Sequence, residues 1–313
     1  MNIWNGLQEL PEDDGRFVAT IGNYDGVHLG HQAILKRIVE RARQKDLRSL
    51  LITFDPHPLS VVAPERQPSL IQTRGQKLDS LRATGISDLC IIPFDRGIAV
   101  QDGRSFFRET LAPNLQFSEI HVGDNFRFGR GRKGDVPLLR ELGESFEFEV
   151  HDVDPIVVDD LPVSSSRIRE AIANGDVDKA ARMLGRPFEL VGEIVRGEGR
   201  GRKLDCPTAN LMTSGSLLPA TGVYITECLV TATRYGGMTN VGTRPTFDDG
   251  AISVETHLLG YDGELYGQEM TVRFLTHLRE EARFDGPESL ADQLARDRAA
   301  SLAYFENAAF PIG

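Results

Sequence analysis

Residues 17–31 read FVATIGNYDGVHLGH, and this stretch decides the fold of the first half of the chain. The apolar run Phe17 to Gly22 is typical of a buried β-strand that ends in glycine. Apolar residues then recur at helical spacing, at Ile34, Leu35, Ile38, Val39 and Ala42. The stretch therefore predicts a strand, a loop and a helix over His31 to Lys45.

The same alternation continues along the first half. Further strands are predicted at Ser49 to Phe54, Asp88 to Phe94 and Glu119 to Val122, and helices at Lys77 to Ala83 and Phe106 to Leu111. Strands that alternate with helices imply right-handed crossovers and a parallel sheet. Ligands of such sheets bind beyond the carboxyl ends of the strands.

The pattern changes at Gly185-Arg186-Pro187, after two short helical patterns at Arg167 to Ala173 and Val177 to Leu184. Glycine-rich turns then separate short β-like stretches, and these predict an antiparallel barrel or sandwich. The stretches are Leu190 to Val195, Gly222 to Val230, Ser253 to Leu259 and Met270 to Phe274, followed by a helix over Glu288 to Phe305. We place the domain boundary near residue 185, which gives domains 1–185 and 186–313.

Length and charge limit the classes of function. At roughly 150 residues per domain, the 313 residues suggest two domains, and 40% hydrophobic residues supply two cores. The 35 basic and 46 acidic residues give a net charge of −11, which disfavours nucleic-acid and anionic-membrane binding. The three cysteines are scattered, no apolar run is long enough to span a membrane, and the first residues contain no basic region followed by an apolar stretch. We therefore predict a cytoplasmic protein.

The loop Gly22 to His31 has the chemistry of an anion site. Its glycines allow close approach of the backbone to a ligand, and the helix that follows offers free N–H groups and its dipole. His28 and His31 can both donate to phosphate oxygens, which suits nucleotidyl transfer. A metal site and a helix cap are the alternatives, although no cysteine ligand lies nearby in the sequence.

Three later motifs also follow or end predicted strands. They are FDPHP with His57, VGDNFRFG with Asn125, and SSSRIR with Ser165, Ser166 and Arg169. Alone each is weak, since proline around His57 can shape a turn, Asn125 can bond its own backbone and the serines can cap a helix. A serine cap beside two arginines can also clamp a phosphate.

Taken together, these motifs resemble the HxGH nucleotidyltransferase superfamily, and GNYDGVHLGH with FDPHP and SSSRIR resembles the FAD synthetase module of prokaryotic bifunctional riboflavin kinase/FAD synthetases. The resemblance covers about residues 16–185. It implies a Rossmann-like sheet, His28 and His31 on the phosphates, and His57 and Asn125 near the nucleotide or flavin. It also implies that ATP binds at Gly22, Asn23, Tyr24, Gly30, Ser165, Ser166 and Arg169. Tyr24 replaces the usual phenylalanine and Ser166 the usual threonine.

The second half has its own polar motifs. The stretch GEGRGRK, from Gly197 to Lys203, can wrap phosphates, although a flexible solvated turn fits equally well. Thr208 and Asn210 are two residues apart on an extended segment and can share a hard cation. Glu255 lies in an apolar β-like run, where it is either an ordinary outward carboxylate or a general base.

The motif series PTAN, GVY, NVGTRPTF, VETHLL and LYG resembles the riboflavin kinase family over about residues 186–305. The resemblance implies a small β-barrel in which Thr208 and Asn210 hold Mg²⁺–ATP, and Glu255 is the base for the ribityl 5′-hydroxyl. It also implies that the segment from Arg279 to Phe284 lies over the flavin. The ATP loop would include Gly199, Arg200, Gly201, Arg202 and Lys203. Asp205-Cys206 departs from the glycine and aromatic that usually precede PTAN.

The resemblances thus imply two ATP-dependent reactions on one chain: riboflavin to FMN in the second domain, and FMN to FAD with release of pyrophosphate in the first. A nucleotidyltransferase acting on another phospho-alcohol is one alternative, which PTAN and Glu255 disfavour. A flavin-sensing, nucleotide-sensing or single-stranded nucleic-acid-binding module is another, which His28, His31, Glu255 and the acidic charge disfavour. The expected partners are small molecules, and self-association is left open.

Overall fold

The computed structural model describes residues 1–11, 15–197, 206–213, 217–243 and 252–307. These residues form two compact units. The first contains Met1–Pro68 and Thr73–Ser164, and the second contains Ser69–Gln72 and the described residues from Ser165 onward. Packing therefore divides the chain after Ser164, whereas the boundary near 185 remains a proposal about where the two sequence types meet.

The first unit is built on a six-stranded parallel sheet of order β1-β4-β3-β2-β5-β6. Its strands are β1 (Asn2–Trp4), β2 (Arg16–Ile21), β3 (Arg48–Asp55), β4 (Asp88–Pro93), β5 (Gln116–Gly123) and β6 (Glu149–Val153). A small antiparallel hairpin is formed by β7 (Val157–Val158) and β8 (Leu161–Pro162). The parallel α/β architecture predicted for this half is confirmed.

Helices accompany this sheet. They are α1 (Leu29–Lys45), α2 (Pro58–Val62), α3 (Arg74–Arg82), α4 (Arg96–Ala99), α5 (Gly103–Ser105) and α6 (Val136–Phe146). Turns of 3-10 helix cover Leu7–Glu9, Pro64–Arg66 and Arg130–Arg132. The predicted helix from Phe106 to Leu111 is a π-helix, since the N–H of Ala112 bonds the carbonyl of Phe107 five residues back.

Alternate residues of the strands feed two separate hydrophobic clusters. One contains Phe17, Ala19 and Ile21 of β2, and the other contains Val18 of β2. This alternation is expected when both faces of a parallel sheet are covered. Four members of the predicted apolar stripe of α1 are buried in the second cluster, Leu35, Ile38, Val39 and Ala42, while Ile34 is half-buried.

The second unit begins with α7 (Ser165–Ala173) and α8 (Val177–Leu184) and continues into a closed barrel of order β10-β13-β12-β11-β14-β9. Its strands are β9 (Phe188–Val195), β10 (Ala209–Met212), β11 (Gly222–Val230), β12 (Thr233–Thr243), β13 (Ile252–Leu258) and β14 (Glu269–Arg279), and helix α9 (Pro287–Asn307) follows. All neighbouring strands are antiparallel, which confirms the predicted barrel and helix.

Bulky and hydroxyl side chains share the buried positions of the barrel strands. Tyr224, Phe188 and Phe274 are almost fully buried. The hydroxyls of Thr226, Thr239 and Thr256 form a chain across three strands, with O–O distances of 2.8 and 2.9 Å. Among the described residues of both units, no helix is both long and apolar enough to cross a membrane.

Candidate active sites

The loop between β2 and α1 has a strained backbone. Tyr24 and Val27 have φ values of 51° and 39°, in the left-handed region that side chains disfavour. The buried Tyr24 hydroxyl lies 2.8 Å from Oγ1 of Thr20, and Nε2 of Gln32 donates to the carbonyl of Val27 at 2.8 Å. Such strain persists only where surrounding contacts determine the conformation, and it is common at functional sites.

His28 and His31 lie together at the start of α1. Their rings stack with centroids 3.6 Å apart, and Tyr24 lies 4.5 Å from His31. His28 caps the helix, because its Nδ1 accepts the N–H of His31 at 3.3 Å. The neutral ring therefore carries its proton on Nε2, which is the atom able to donate to a ligand.

The environment of His31 keeps its ring neutral. Burial, followed by the charges of His28 and Lys77, lowers the pKa of His31 well below its ordinary value. Its Nδ1 is buried and has no hydrogen-bond partner in the described structure. Within the described residues, the two histidines belong to no group of three side chains able to ligate a metal. With no third ligand beside them in the described part of the chain, the two histidines fit donation to an anion better than a metal site.

Glycines make room for these rings. A Cβ at Gly30 would lie 3.2 Å from the ring of His28, and one at Gly22 would lie 3.0 Å from the ring of Tyr24. Contacts this short are rarely tolerated without a shift of the neighbour. Both glycines therefore allow close packing around the histidines, in addition to any close approach of a ligand.

The structure brings His57 to this loop. It caps α2 by accepting the N–H of Leu59 at Nδ1, and its Nε2 lies 3.3 Å from Nδ2 of Asn23. Asn125 is exposed two residues beyond the end of β5. Because β3 and β5 flank β2, the residues predicted from the FDPHP and VGDNFRFG motifs follow the same sheet edge as the histidine loop.

Ser165, Ser166 and Arg169 lie on α7, which belongs to the second compact unit. Nε of Arg169 donates to the carbonyl of Ser69 at 3.0 Å. Their predicted contact with ATP of the first site stays a prediction.

The barrel aligns the two key residues of the second site. Asn210 of β10 and Asn240 of β12 are direct cross-strand partners of Glu255 on β13. Directly opposed residues in antiparallel strands point to the same face, with Cβ atoms about 5 Å apart. Asn210 and Glu255 are therefore neighbours, and Asn240 completes the row.

The backbone beside this row is held by polar and steric contacts. Nδ1 of the buried His257 donates to the carbonyl of Pro207 at 2.9 Å, next to Thr208. Burial lowers the pKa of His257, so the ring is neutral with its proton on Nδ1. A Cβ at Gly197 would lie 2.2 Å from the amide of Asn210, so any other residue there would displace the Asn210 side chain.

A cavity of about 760 Å³ opens beside these residues. Its lining includes Thr208, Asn210, His257, Tyr266 and Arg298. The hydroxyl and amide oxygens of Thr208 and Asn210 are hard donors of the kind that suit Mg²⁺. Gly199, Arg200, Gly201, Arg202, Lys203 and Asp205 lie outside the described residues, so the predicted ATP loop stays a prediction.

Arg279 has a partner that its motif did not indicate. Its guanidinium binds the buried carboxylate of Asp297 on α9, with N–O distances of 2.7 to 3.1 Å, and lies 5.9 Å from the ring centroid of Phe284. Arg279 thus ties β14 to α9. The predicted flavin contact of Arg279 and Phe284 is not tested by these distances.

Three residues near the sites were missed in the sequence. His257 could have been found, because it is two residues from Glu255 and alternation places both on one face. Asn240 belongs to the NVGTRPTF motif, but only the strand register shows that it lies opposite Glu255. Lys77 has no local signal, yet its ammonium lies 2.6 Å from the carbonyl of Asn23.

Comparison with known proteins agrees with this division. The FAD synthetase family profile matches residues 10–167, and the riboflavin kinase profile matches residues 184–305. A bifunctional riboflavin kinase/FMN adenylyltransferase of Pseudomonas fluorescens is 36% identical over 304 residues, covering 97% of each chain. The protein of the same description from Escherichia coli K12 is 33% identical, covering 96% of each chain.

A solved structure from Streptococcus pneumoniae, described as a macrolide-efflux protein, has a TM-score of 0.86 and 28% identity. It covers 96% of this chain and 97% of its own. Its description differs in class from those of the curated relatives, while its fold matches nearly the whole chain.

Proposed function

The chain belongs to the bifunctional riboflavin kinase/FMN adenylyltransferase family, and from this premise we propose that it carries out both reactions at two separate sites. The barrel transfers the γ-phosphoryl group of ATP to the 5′-hydroxyl of riboflavin, giving FMN and ADP. The parallel-sheet unit joins FMN to the AMP moiety of a second ATP, giving FAD and pyrophosphate. The observation that carries the proposal is that the two clusters, His28–His31 and Asn210–Glu255, lie in different compact units.

In the barrel, we assign Glu255 as general base and Thr208 and Asn210 as ligands of Mg²⁺–ATP. The carboxylate of Glu255 accepts the proton of the ribityl hydroxyl as oxygen attacks phosphorus. The Thr208 and Asn210 oxygens would hold Mg²⁺, which would supply neutralisation of charge on the phosphate oxygens. Arg279, Phe284 and the segment between them are assigned to the flavin, and residues 199–203 to the ATP phosphates.

In the first unit, we assign His28 and His31 to the phosphates of ATP. Nε2–H of His28 donates to oxygens whose charge grows as pyrophosphate leaves, and this stabilisation of developing charge is the main catalytic contribution. Gly22, Asn23, Tyr24 and Gly30 shape the nucleotide site, with Ser165, Ser166 and Arg169 as further ATP contacts. His57 and Asn125 are assigned to the nucleotide or flavin. No covalent intermediate is needed, because positioning and charge stabilisation suffice for in-line displacement.

The proposal is tested by separating the two activities. Purified wild-type protein is incubated with riboflavin, ATP and Mg²⁺, and the flavins are separated by chromatography. We expect FMN to form first and FAD to follow. His28→Ala should stop at FMN with a loss of adenylyl transfer of at least about 100-fold. Glu255→Gln should form no FMN from riboflavin and still convert supplied FMN to FAD.

Folding of the first unit is monitored by the fluorescence of Trp4, the single tryptophan of the chain, and folding of the barrel unit by circular dichroism. If either variant lost both activities while folded, the assignment of two sites would be wrong. Omission of Mg²⁺ should abolish FMN formation, and retention of full activity in a chelator would contradict the Mg²⁺ assignment.

A cytoplasmic location is proposed on the three buried, unpaired cysteines, which suit a reducing compartment.

A further inference from the structure

Lys77 extends from α3 toward the loop that carries His28 and His31. Its ammonium donates to the carbonyl of Asn23 at 2.6 Å and to Oγ1 of Thr53 at 3.0 Å. The hydroxyl of the buried Thr53 donates to the same carbonyl at 3.2 Å. Two donors from different elements thus converge on one backbone oxygen of the loop.

That oxygen belongs to the strained part of the loop. The peptide of Asn23 leads directly into Tyr24, whose φ is 51°, and Gly26 and Val27 follow at 85° and 39°. A carbonyl fixed by two donors also fixes the direction of the N–H on the other side of its peptide plane. The loop is therefore anchored at Asn23 by Lys77 and Thr53, and at Val27 by Gln32.

We infer that Lys77 is a positioning residue for adenylyl transfer: its ammonium holds the Asn23 carbonyl and so keeps the loop in the shape that presents its N–H groups and the two histidines to the nucleotide. This inference rests on the assignment of adenylyl transfer to the first unit. Lys77 acts through the loop and through the charge that it places beside His31.

The charged groups around Lys77 make its role sensitive to pH. Asp25 of the loop and Asp55 at the end of β3 favour the charged form of Lys77, while the charges of Lys77 and His28 both act on His31 of α1. Arg74, one turn earlier on α3, pairs with Asp55 at 3.7 Å. Burial lowers the pKa of Lys77 to about 8, against the opposing effect of the two carboxylates.

Two limbs of the pH profile follow from this arrangement. Because the folded pKa is about 8, the ammonium loses its charge as pH rises through that value and its hydrogen bonds weaken. Adenylyl transfer should therefore fall above about pH 8. On the acid side, the positive charge of Lys77 helps to keep His31 neutral. Removal of the Lys77 charge should therefore raise the pKa of His31 and move the acid limb of the activity profile to higher pH.

The test compares Lys77→Met, Lys77→Arg and Thr53→Val with a control, Lys36→Met, whose side chain is exposed on α1. For each full-length variant, kcat and KM of adenylyl transfer are measured from pH 5.5 to 10, with riboflavin phosphorylation in the same samples. Lys77→Met should lower kcat of adenylyl transfer about 100-fold, as misplacement of catalytic groups by about 1 Å does. Its KM values, its riboflavin kinase activity and the control should change less than about threefold.

The conservative variant separates positioning from simple support of the fold. Lys77→Arg keeps a charge at all accessible pH values, so it should recover most of the activity and lose the decline above about pH 8. Thr53→Val removes both the donor to the Asn23 carbonyl and an acceptor of Lys77, so it should lower kcat at least about tenfold. If Lys77→Met fails to fold by Trp4 fluorescence, Thr53→Val and Lys77→Arg decide the question.

The inference is overturned if Lys77→Met keeps the wild-type kcat and pH profile, or if Thr53→Val is fully active. It is also overturned if Lys77→Arg still declines near pH 8. Failure of the underlying assignment gives a different result, since His28→Ala would then still form FAD, or wild-type protein would form none.

Discussion

Two histidines of the first unit, His28 and His57, begin helices and accept a backbone N–H at Nδ1. A helix cap and a phosphate donor were alternatives in the sequence, yet the two roles are compatible. The position of the ring proton follows only for His28, because Nε2 of His57 lies 3.3 Å from Nδ2 of Asn23, which is itself a donor. In His28, use of Nδ1 as an acceptor places the proton of a neutral ring on Nε2. The cap thus prepares the donor that phosphate chemistry requires, at an end of the helix that already favours anions.

His257→Ala should impair the kinase through the backbone beside Thr208. Loss of the hydrogen bond to the Pro207 carbonyl frees the segment that carries Thr208 and Asn210. One hydrogen bond contributes about 1 to 1.5 kcal/mol, so we expect about a tenfold loss in kcat/KM for ATP. Riboflavin phosphorylation at several ATP concentrations measures this. His257→Asn places an amide N–H near the Nδ1 position and should recover activity, and adenylyl transfer should not change. Equal activity of the alanine variant would contradict a positioning role.

Motifs predicted the residues whose partners are close in sequence or share a strand face. Glu255 and Asn210 each belong to a motif, but only the strand register shows that they are neighbours. Lys77 and Asp297 could not be predicted, because each gains its role from a partner brought near by the fold. Lys77 contacts a carbonyl 54 residues away, and Asp297 binds Arg279 18 residues away.

Among the elements, strands with continuous apolar runs were predicted well and polar strands were not. Strand β12 contains Gly236 and Gly237, which lower β propensity. A Cβ at Gly236 would lie 2.6 Å from the ring of Phe305, and one at Gly237 would lie 2.8 Å from the sulfur of Cys228. Tertiary packing therefore selects residues that weaken the local pattern. Strand β10 was missed because only four residues form it.

A buried carboxylate on β5 ties this strand to α1. Glu119 is fully buried and accepts hydrogen bonds from Arg41, Lys45 and His121, while His151 on β6 stacks on His121. Within the described residues, Glu119 and the two histidines are the one group with metal-ligating atoms within 4.8 Å of one another. Two cations already neutralise the carboxylate, so the cluster is an ion-pair network that joins helix to sheet.

Glu119→Gln should destabilise the first unit by about 2 kcal/mol, because Arg41 and Lys45 lose a buried partner but can turn partly to solvent. Urea unfolding followed by Trp4 fluorescence measures the change. Glu147→Gln, which removes an exposed pair with Arg16, is the control and should cost less than about 0.5 kcal/mol.

The pH dependence of the Glu119 effect has a defined sign. Burial alone would raise the pKa of Glu119, but hydrogen bonds from Arg41, Lys45 and His121 lower it well below the ordinary range. A lowered folded pKa stabilises the native state above the unfolded value of about 4.3. The difference between wild type and Glu119→Gln should therefore be constant at neutral pH and shrink as pH falls below about 4. A difference that grows in acid would contradict this network.

At the scale of the whole molecule, the acidic surface and the anionic substrates are reconciled by local chemistry. The net charge of −11 is a property of the whole chain, whereas the proposed nucleotide site has its own donors, in the loop that carries His28 and His31 and that Lys77 holds at the Asn23 carbonyl. The sequence predicted two domains of different architecture, because each half has its own periodicity. The sequence could not predict that α7 and α8 belong to the same compact unit as the barrel. This grouping depends on tertiary contacts of both helices, which their own apolar periodicity does not show.

Because each proposed site has its own catalytic residues, defects in different sites should complement each other between molecules. A mixture of His28→Ala and Glu255→Gln proteins, supplied with riboflavin, ATP and Mg²⁺, should form FAD although neither variant does so alone. FMN made by the first variant must leave its barrel and bind the other protein, so FAD should appear after a lag that shortens as the concentration of the Glu255→Gln protein rises. Time-resolved chromatography of FMN and FAD measures this. If FMN accumulated while the mixture formed no FAD, and the Glu255→Gln protein alone still converted supplied FMN, the two sites could not work through free FMN.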